Sequence, residues 1–456
     1  MSYSIIQKSQ LEYDKRIDAE FYEPEYLRTQ QLLERARHNT LAEVCDKIIN
    51  FGAYSLNNFI EYLDSGVPYL FVGDIRDNYI DLSNVKFLDE TLSKGLLHKS
   101  VVTEGQVLLT IAGTIGNAAV AHNLPSYTNS NQAIANLYPK KEINPYYLAT
   151  FLNCKYGELQ SHRYIISNVQ PNLLLTQVKK FIIPIASLND QQKIENLIIK
   201  NFELREQSKQ FTKEAEDLLL EELGLKDFQQ KEDLSFIVNF SDVQKSNRID
   251  ADYFQPKYER LVHAIRSVNG KKLGDLVTMK KGFEPGSEAS QEEGKLFIRV
   301  SSLSKFGLED KDQKCLGEDL YQKLKSDFEP KIGEVLLTKD ATPGISYVVK
   351  EGVEGIISGG ILRLKIKQDI EPEYLALCLN SIIGKMQAER DAGGSIIAHW
   401  RPEQIKNLII PILPQSIQQK IANLVRQSHD ARKKSKELLE QAKREVEEMI
   451  EKGGED

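Results

Sequence analysis

Residues 182–194 read IIPIASLNDQQKI and residues 409–421 read IIPILPQSIQQKI, so nearly one phrase occurs twice, 227 residues apart. The match extends outward from it. RIDAEFYEPEY at 16–26 returns as RIDADYFQPKY at 248–258, and GQVLLTIAGTIG at 105–116 returns as GEVLLTKDATPG at 333–344. INPYYLATFLNCKYG at 143–157 returns as IEPEYLALCLNSIIG at 370–384. Four blocks in the same order, in a chain of 456 residues, describe two domain-sized halves and not a short-repeat solenoid. Each half is long enough to bury its own core.

Between the blocks the halves part. Residues 76–94, RDNYIDLSNVKFLDETLSK, share little with 304–323, SKFGLEDKDQKCLGEDLYQK, and 158–174 differ from 385–401. A shared scaffold with unlike insertions reads as two similar modules meeting different surfaces. Each module opens with a short helical piece and continues in strand-like runs. These are VPYLFVGDI at 67–75, QVLLTI and AAVA in the first, and LFIRVSSL at 296–303, VLLT, SYVVK and GGILRLKI in the second. GTIG at 113–116 and ATPG at 341–344 mark tight turns, while Pro145 and Pro372 mark the first turns of helices.

A long helix follows each module. After Pro184, residues Ile194, Leu197, Leu204, Phe211, Leu218 and Leu225 keep three- and seven-residue spacing. After Pro411, Ile421, Leu424, Ala431, Leu438, Ala442 and Met449 do the same. Sustained heptads need a partner helix, and Asn201, Ser208, Ser428 and Ser435 would weaken a lone coiled coil, so the two helices pair most economically with each other. The expected fold is mixed α/β: two β-rich modules separated by two long antiparallel coiled-coil helices, with an internal pseudo-two-fold repeat. A parallel arrangement would bring the modules side by side instead. About 35 helical residues span roughly 50 Å, the scale of one duplex turn of about 34–36 Å, which makes the helices a candidate ruler. The expected divisions are 1–187, the N-terminal segment and first module; 188–226, the first spacer helix; 227–269, a connector and the start of the second repeat; 270–414, the second module; and 415–452, the second helix.

The composition, 41% hydrophobic and 27% charged, excludes general disorder. The first twenty residues contain no apolar run of signal-peptide length and no segment approaches eighteen apolar residues, so a cytoplasmic protein with no membrane partner is expected. Cys45, Cys154, Cys315 and Cys378 are too scattered for a zinc site or a disulfide framework. NPYY at 144–147 is similar to the Asn-Pro-Pro-aromatic motif with which methyltransferases hold a flipped base, but Tyr146 stands third and the repeat reads EPEY. No Walker motif is present, and no Gly-rich loop follows a strand to seat adenosylmethionine. No catalytic residue, metal site or cofactor site is therefore expected in this chain.

A net charge of -7 argues against indiscriminate coating of nucleic acid but permits a local basic groove. In the first module Arg76, Lys86, Lys94 and Lys99 are candidates for phosphate contact, and Asn129, Asn131, Gln132, His162, Arg163 and Tyr164 offer hydrogen bonds to bases or backbone. In the second, Lys280, Lys281, Arg299, Lys305 and Lys339 parallel the first group, while Arg390, Ser395, His399, Trp400 and Arg401 lie in a Gly-containing insertion. Arginine and amide side chains match major-groove base edges bidentately, whereas lysines supply salt-dependent attraction. Trp400 carries a competing core reading, because large aromatics are mostly buried.

The paired order RIDAEFY/RIDADYF, GQVLLTIAGTIG/GEVLLTKDATPG and NPYYLATFLN/EPEYLALCLN, ending in the IIP phrases and long helices, resembles the DNA-specificity subunit of type I restriction-modification systems from Arg16 to the last helix. The resemblance implies two target-recognition domains, each reading half of an interrupted duplex DNA site, with conserved helices as spacer. It also implies two docked modification (methyltransferase) subunits that bring S-adenosylmethionine, with or without two restriction subunits that use ATP and Mg2+. GTIG at 113–116 is carried over as a turn of the first recognition domain; ATPG at 341–344 departs from that pattern. A specificity chain of a fused restriction-methylation enzyme would use the same readers and docking, and a coiled-coil protein-interaction scaffold is the alternative of another class. Sequence-specific duplex binding separates the scaffold from both.

Overall fold

The structure, a computed structural model, describes residues 4–9, 11, 16–51, 60–165, 171–228, 230–286, 291, 293–309, 313–392 and 399–453. The chain divides into two units: residues 1–204 with 433–456, and residues 205–432. The two long helices contribute to both.

In the first unit α1 (Pro24–Arg35), β1 (His38–Thr40), α2 (Leu41–Val44) and β2 (Cys45–Ile49) lead into the β-rich part. Next come β3 (Val67–Leu70), the short β4 (Ile75–Arg76) and β5 (Tyr79–Ile80), and β6 (Lys86–Leu88) with α3 (Glu90–Lys94). They are followed by β7 (Val107–Thr110), β8 (Ala118–Val120), β9 (Asn129–Ser130) and β10 (Ile134–Pro139). The helices α4 (Pro145–Asn153), α5 (Lys155–Arg163) and α6 (Leu175–Val178), then β11 (Ile182–Pro184) and α7 (Leu188–Glu222), complete the repeat. An antiparallel sheet has the order β2–β10–β7–β8, a second sheet β6–β3–β9 has β3 and β9 parallel, β1 pairs with β11, and β4–β5 is a hairpin.

The second unit repeats this plan. After α8 (Phe240–Ser246), α9 (Pro256–Ser267), β12 (Gly270–Lys272) and α10 (Leu273–Leu276), the sheet of β13 (Val277–Lys281), β21 (Ile361–Ile366), β18 (Val335–Thr338) and β19 (Ser346–Val348) matches the four-stranded sheet. β17 (Lys314–Leu316), β14 (Lys295–Ile298) and β20 (Gly355–Ile357) match the three-stranded one, again with its central strand parallel to the last. The hairpin β15–β16 (Leu303–Ser304 and Gly307–Leu308) and the β12–β22 pair (β22, Ile409–Pro411) follow suit. Here α11 (Glu318–Phe328) is much longer than α3, its counterpart. The helices α12 (Pro372–Asn380), α13 (Ile382–Asp391), α14 (Pro402–Lys406) and α15 (Gln415–Lys452) close the chain.

Alternation along the buried strands gives each main sheet two apolar faces. Val107 and Leu109 of β7 pack with Tyr147, Leu148 and Phe151 of α4, while Leu108 joins a separate cluster with Leu70 and Ile134. Val335 and Leu337 face Tyr374, Leu375 and Cys378, and Leu336 joins Ile298 and Ile357. Pro145 and Pro372 stand at the first helical positions, as expected. The GTIG and ATPG turns are the same turn: Gly116 N–H donates to Thr110 O and Gly344 N–H to Thr338 O, both at 3.0 Å. Ala341 takes a φ of 60° where Gly113 has 77°.

The repeated phrase is explained by repeated hydrogen bonds. Gln191 donates to Ala186 O at 3.0 Å and accepts from Asn144 N at 2.7 Å; Gln418 donates to Leu413 O at 2.8 Å and accepts from Glu371 N at 3.2 Å. Tyr147 Oη donates to Pro184 O, and Tyr374 Oη to Pro411 O. Gln160 brackets the backbone of Ile182, as Gln387 brackets that of Ile409. These amides are buried, where an unmade hydrogen bond is costly, which accounts for the same set recurring in each unit.

The helices pair antiparallel within each unit. In the first, Asn201 donates to Ser435 O and Oγ at 2.6 and 2.8 Å, and Lys193 lies near Glu445. In the second, Ser208 and Ser428 hydroxyls meet at 3.0 Å, and Glu216 and Val425 line one cavity. The seam corrects the expected one. Gln191, Ile194, Ile198, Asn201, Ser208, Ala215 and Leu219 are buried, matched on α15 by Gln418, Ile421, Val425, Ser428, Ser435, Ala442 and Val446. Ile194, Ile421 and Ala442 lie in it, but Leu197, Leu204, Phe211, Leu218, Leu424, Leu438 and Met449 are half-buried on its flank. The buried row thus mixes branched apolar side chains with the small, hydrogen-bonded Asn201, Ser208, Ser428 and Ser435.

Candidate nucleic-acid interface

The structure sorts the candidate residues by burial. In the first unit Arg76, Lys86, Lys94, Lys99 and His162 are exposed. Arg76 sits on the β4–β5 hairpin, whose tip is pinned by residues the sequence reading missed. Asn117 donates to Ile75 O at 3.1 Å, Thr150 Oγ1 to Asn78 Oδ1 at 3.2 Å, and Lys443 pairs with Asp77 at 2.8 Å. Asn78 is buried with a φ of 59°, which suits asparagine in a hairpin turn.

Asn129 is not offered to DNA. Its side chain is buried, accepts from Ser93 Oγ at 2.5 Å, and donates to Leu97 O at 3.0 Å and Ser100 Oγ at 2.9 Å. It therefore ties together two short segments, one ending in Lys94 and the other containing Lys99. Lys94 lies 2.5 Å from Glu90 and 4.5 Å from the centre of the exposed Tyr127 ring. At the matching place in β20 the second unit has Ile356, packed with Phe297, Leu316 and Tyr321 of α11. A polar peg in one unit is replaced by an apolar cluster and a longer helix in the other.

Further corrections follow from the same physics. Asn131 is buried and accepts from Ala133 N at 3.1 Å, and Gln132 is half-buried with its backbone carbonyl bound by Asn50. Arg163 is buried, donating to Phe21 O at 3.0 Å and Gln30 Oε1 at 2.6 Å, with its guanidinium 4.2 Å from the Phe21 ring centre. Tyr164 packs against Phe21 and Phe181. Arg390, the repeat counterpart of Arg163, is half-buried, pairs with Asp391 at 2.7 Å and lies over Tyr253. Both arginines thus belong to the RIDAEFY/RIDADYF structure. There Arg16 grips Asp18, Arg248 grips Asp250, and each hydrogen bond holds the partner carboxyl below its usual range.

In the second unit Lys339 is buried, paired with Asp340, and its carbonyl accepts from Trp400 N. Trp400 is buried in the main core. Arg299 is half-buried, and Ser395 lies outside the described residues. Lys280, Lys281, Lys305, His399 and Arg401 are exposed. Lys280 pairs with Asp327 and Lys281 with Glu284, both at 2.6 Å, and His399 with Asp340 at 2.9 Å. Such solvated pairs are worth little and exchange readily for a phosphate. Lys305 and Phe306 form the tip of the β15–β16 hairpin, and the Phe306 ring meets His429 and the Arg432 guanidinium.

Among the described residues no three His, Cys, Asp or Glu side chains group as a metal site, and no helix is long and apolar enough to cross a membrane. Cys45, Cys154 and Cys378 are buried, and burial pushes each thiol up to about 12, far from a reactive thiolate.

The family model for the type I restriction modification DNA specificity domain matches this chain twice, over residues 38–214 and 267–444. The chain belongs to that family. A specificity subunit of the type I restriction enzyme MjaIX of Methanocaldococcus jannaschii is 25% identical over 378 residues, covering 80% of each chain. Two solved structures are also similar, each at 13% identity. The type I restriction-modification S subunit from M. genitalium has a TM-score of 0.43 over 91% of this chain and 95% of its own, and the HsdS subunit from Thermoanaerobacter tengcongensis 0.27 over 91% and 96%. The chain is thus a specificity subunit, the non-catalytic member of its restriction-modification system. In the first of its two DNA specificity domains, buried asparagines fix the hairpin that carries Arg76 and the short segments that carry Lys94 and Lys99.

Proposed function

We propose that the two domains of this specificity subunit read the two halves of one interrupted duplex DNA site, and that the chain recruits two methyltransferase subunits. The observation that carries this is one hydrogen-bonded scaffold present twice, bearing unlike sets of exposed cations: Arg76, Lys86, Lys94 and Lys99 against Lys280, Lys281, Lys305 and Arg401. Duplicate scaffolds with different reading surfaces suit two unlike half-sites. Each bidentate base contact discriminates by about 1–3 kcal/mol, and lysines add attraction that weakens with salt. S-adenosylmethionine enters with the methyltransferase subunits, and ATP with Mg2+ enters where restriction subunits join. Holding a methyltransferase beside a bound site raises its effective concentration there without a long recognition surface of its own. A cytoplasmic location accords with this role.

Methylome sequencing of cells carrying the complete system tests the proposal. One interrupted motif is expected, and exchange of residues 76–94 should alter one half of it. A continuous motif, or simultaneous change of both halves, overturns the reading.

A further inference from the structure

Each unit exposes the same residue in the same setting. Ile17, in RIDAE, is 91% exposed, and Ile249, in RIDAD, is 89% exposed. A second pair, Ile5 at 86% and Ile237 at 99%, lies at an equal distance upstream of each. Scattered exposed apolar residues are ordinary. This case differs because the neighbouring repeated positions have contacts that account for them. Arg16 and Arg248 hold Asp18 and Asp250, their guanidiniums lie over Phe21 and Tyr253, and Pro24 and Pro256 start helices. Among the described residues of these two blocks, Ile17 and Ile249 are the large apolar side chains that project into solvent.

Their surroundings state the chemistry of what covers them. Ile17 lies three residues before the exposed Glu20, and Ile249 three before the exposed Asp252, while Asp18 and Asp250 between them are paired with Arg16 and Arg248. A β-branched apolar knob beside carboxylates fits an apolar socket rimmed by lysine or arginine. Two equivalent knobs on one chain fit two copies of one partner. We propose that Ile17 with Glu20, and Ile249 with Asp252, are equivalent docking knobs for two copies of the methyltransferase subunit. This rests on the two-partner reading above.

The test uses the full chain co-purified with the methyltransferase subunit encoded beside it, with partners counted by native mass spectrometry. The parent chain holds two. Ile17→Glu and Ile249→Glu should each hold one, and the double variant none, with unchanged circular dichroism and melting because the side chains lie outside the core. Glu20→Lys with Asp252→Lys should weaken both sites about tenfold at low salt and less at high salt, and this pair decides the matter if an isoleucine variant melts early. A double isoleucine variant that keeps two partners at parental affinity overturns the docking knobs and leaves the two-partner reading intact. A single variant that loses both partners also overturns their independence. A parent complex with one partner or none overturns the two-partner reading and the inference together.

Discussion

Asn129 shows how a residue of DNA-reading type can serve DNA reading indirectly. An asparagine between polar neighbours has the same donors and acceptors whether it meets a base or two serines of its own domain. Asn129→Ala would strip Ser93, Leu97 and Ser100 of their shared partner, costing about 1–3 kcal/mol. It should weaken binding of the first half-site while leaving the second unchanged, as measured with DNA carrying one mutated half at a time. Arg163→Ala should lower the melting temperature without altering base preference, because its guanidinium is spent on Phe21 and Gln30. A conserved profile of bound sequences, scored by selection from a random duplex pool, checks the second clause. Ala341 holds a left-handed conformation that costs a Cβ-bearing residue about 1–2 kcal/mol, so Ala341→Gly should recover part of that in a denaturant titration. Sequence did not separate the exposed lysines from the buried Lys339, nor reveal the burial of Asn129, since the groups that Asn129 binds lie tens of residues away.

Polar side chains join the long helices within an otherwise largely apolar buried row. Asn201→Ala should cost about 1–2 kcal/mol by removing the bonds to Ser435, more than a change on the exposed face such as Gln210→Ala, whose bond is to Glu214 of its own helix, and unfolding of the full chain would show the order. His429 of α15 stacks on Tyr347 and meets Phe306, where its repeat counterpart Phe202 stacks on His122. Burial, with the charge of Lys350 next, pushes the His429 imidazole down from 6.5 to about 4. The unfolded chain therefore takes up a proton that the folded unit refuses. Stability is full above about pH 6.5 and falls as the pH drops toward about 4. His429→Phe should remove about 1–3 kcal/mol of that acid loss, seen as a smaller difference between denaturation midpoints at neutral and mildly acidic pH. Heptad spacing announced both helices, but it assigned the seam to the leucine row because apolarity was the only measure on hand.

For the molecule as a whole, an acidic chain that binds DNA must concentrate its positive groups on part of its surface. Lys99→Ala and Lys281→Ala should each lower the salt slope of site binding by about 1, uniformly across sequences, if each meets one phosphate; an unchanged slope removes that residue from the interface. The duplication, the class of fold and the two long helices follow from local order along the chain: repeated blocks, periods of two and seven, and proline at helix starts. Those signals arise between neighbours and need no knowledge of distant residues. Which asparagine, arginine or lysine faces water, and which row of a helix faces its partner, was settled only by packing. Burial and hydrogen-bond satisfaction join groups far apart in sequence, as Asn129 joins Ser93 and Asn201 joins Ser435.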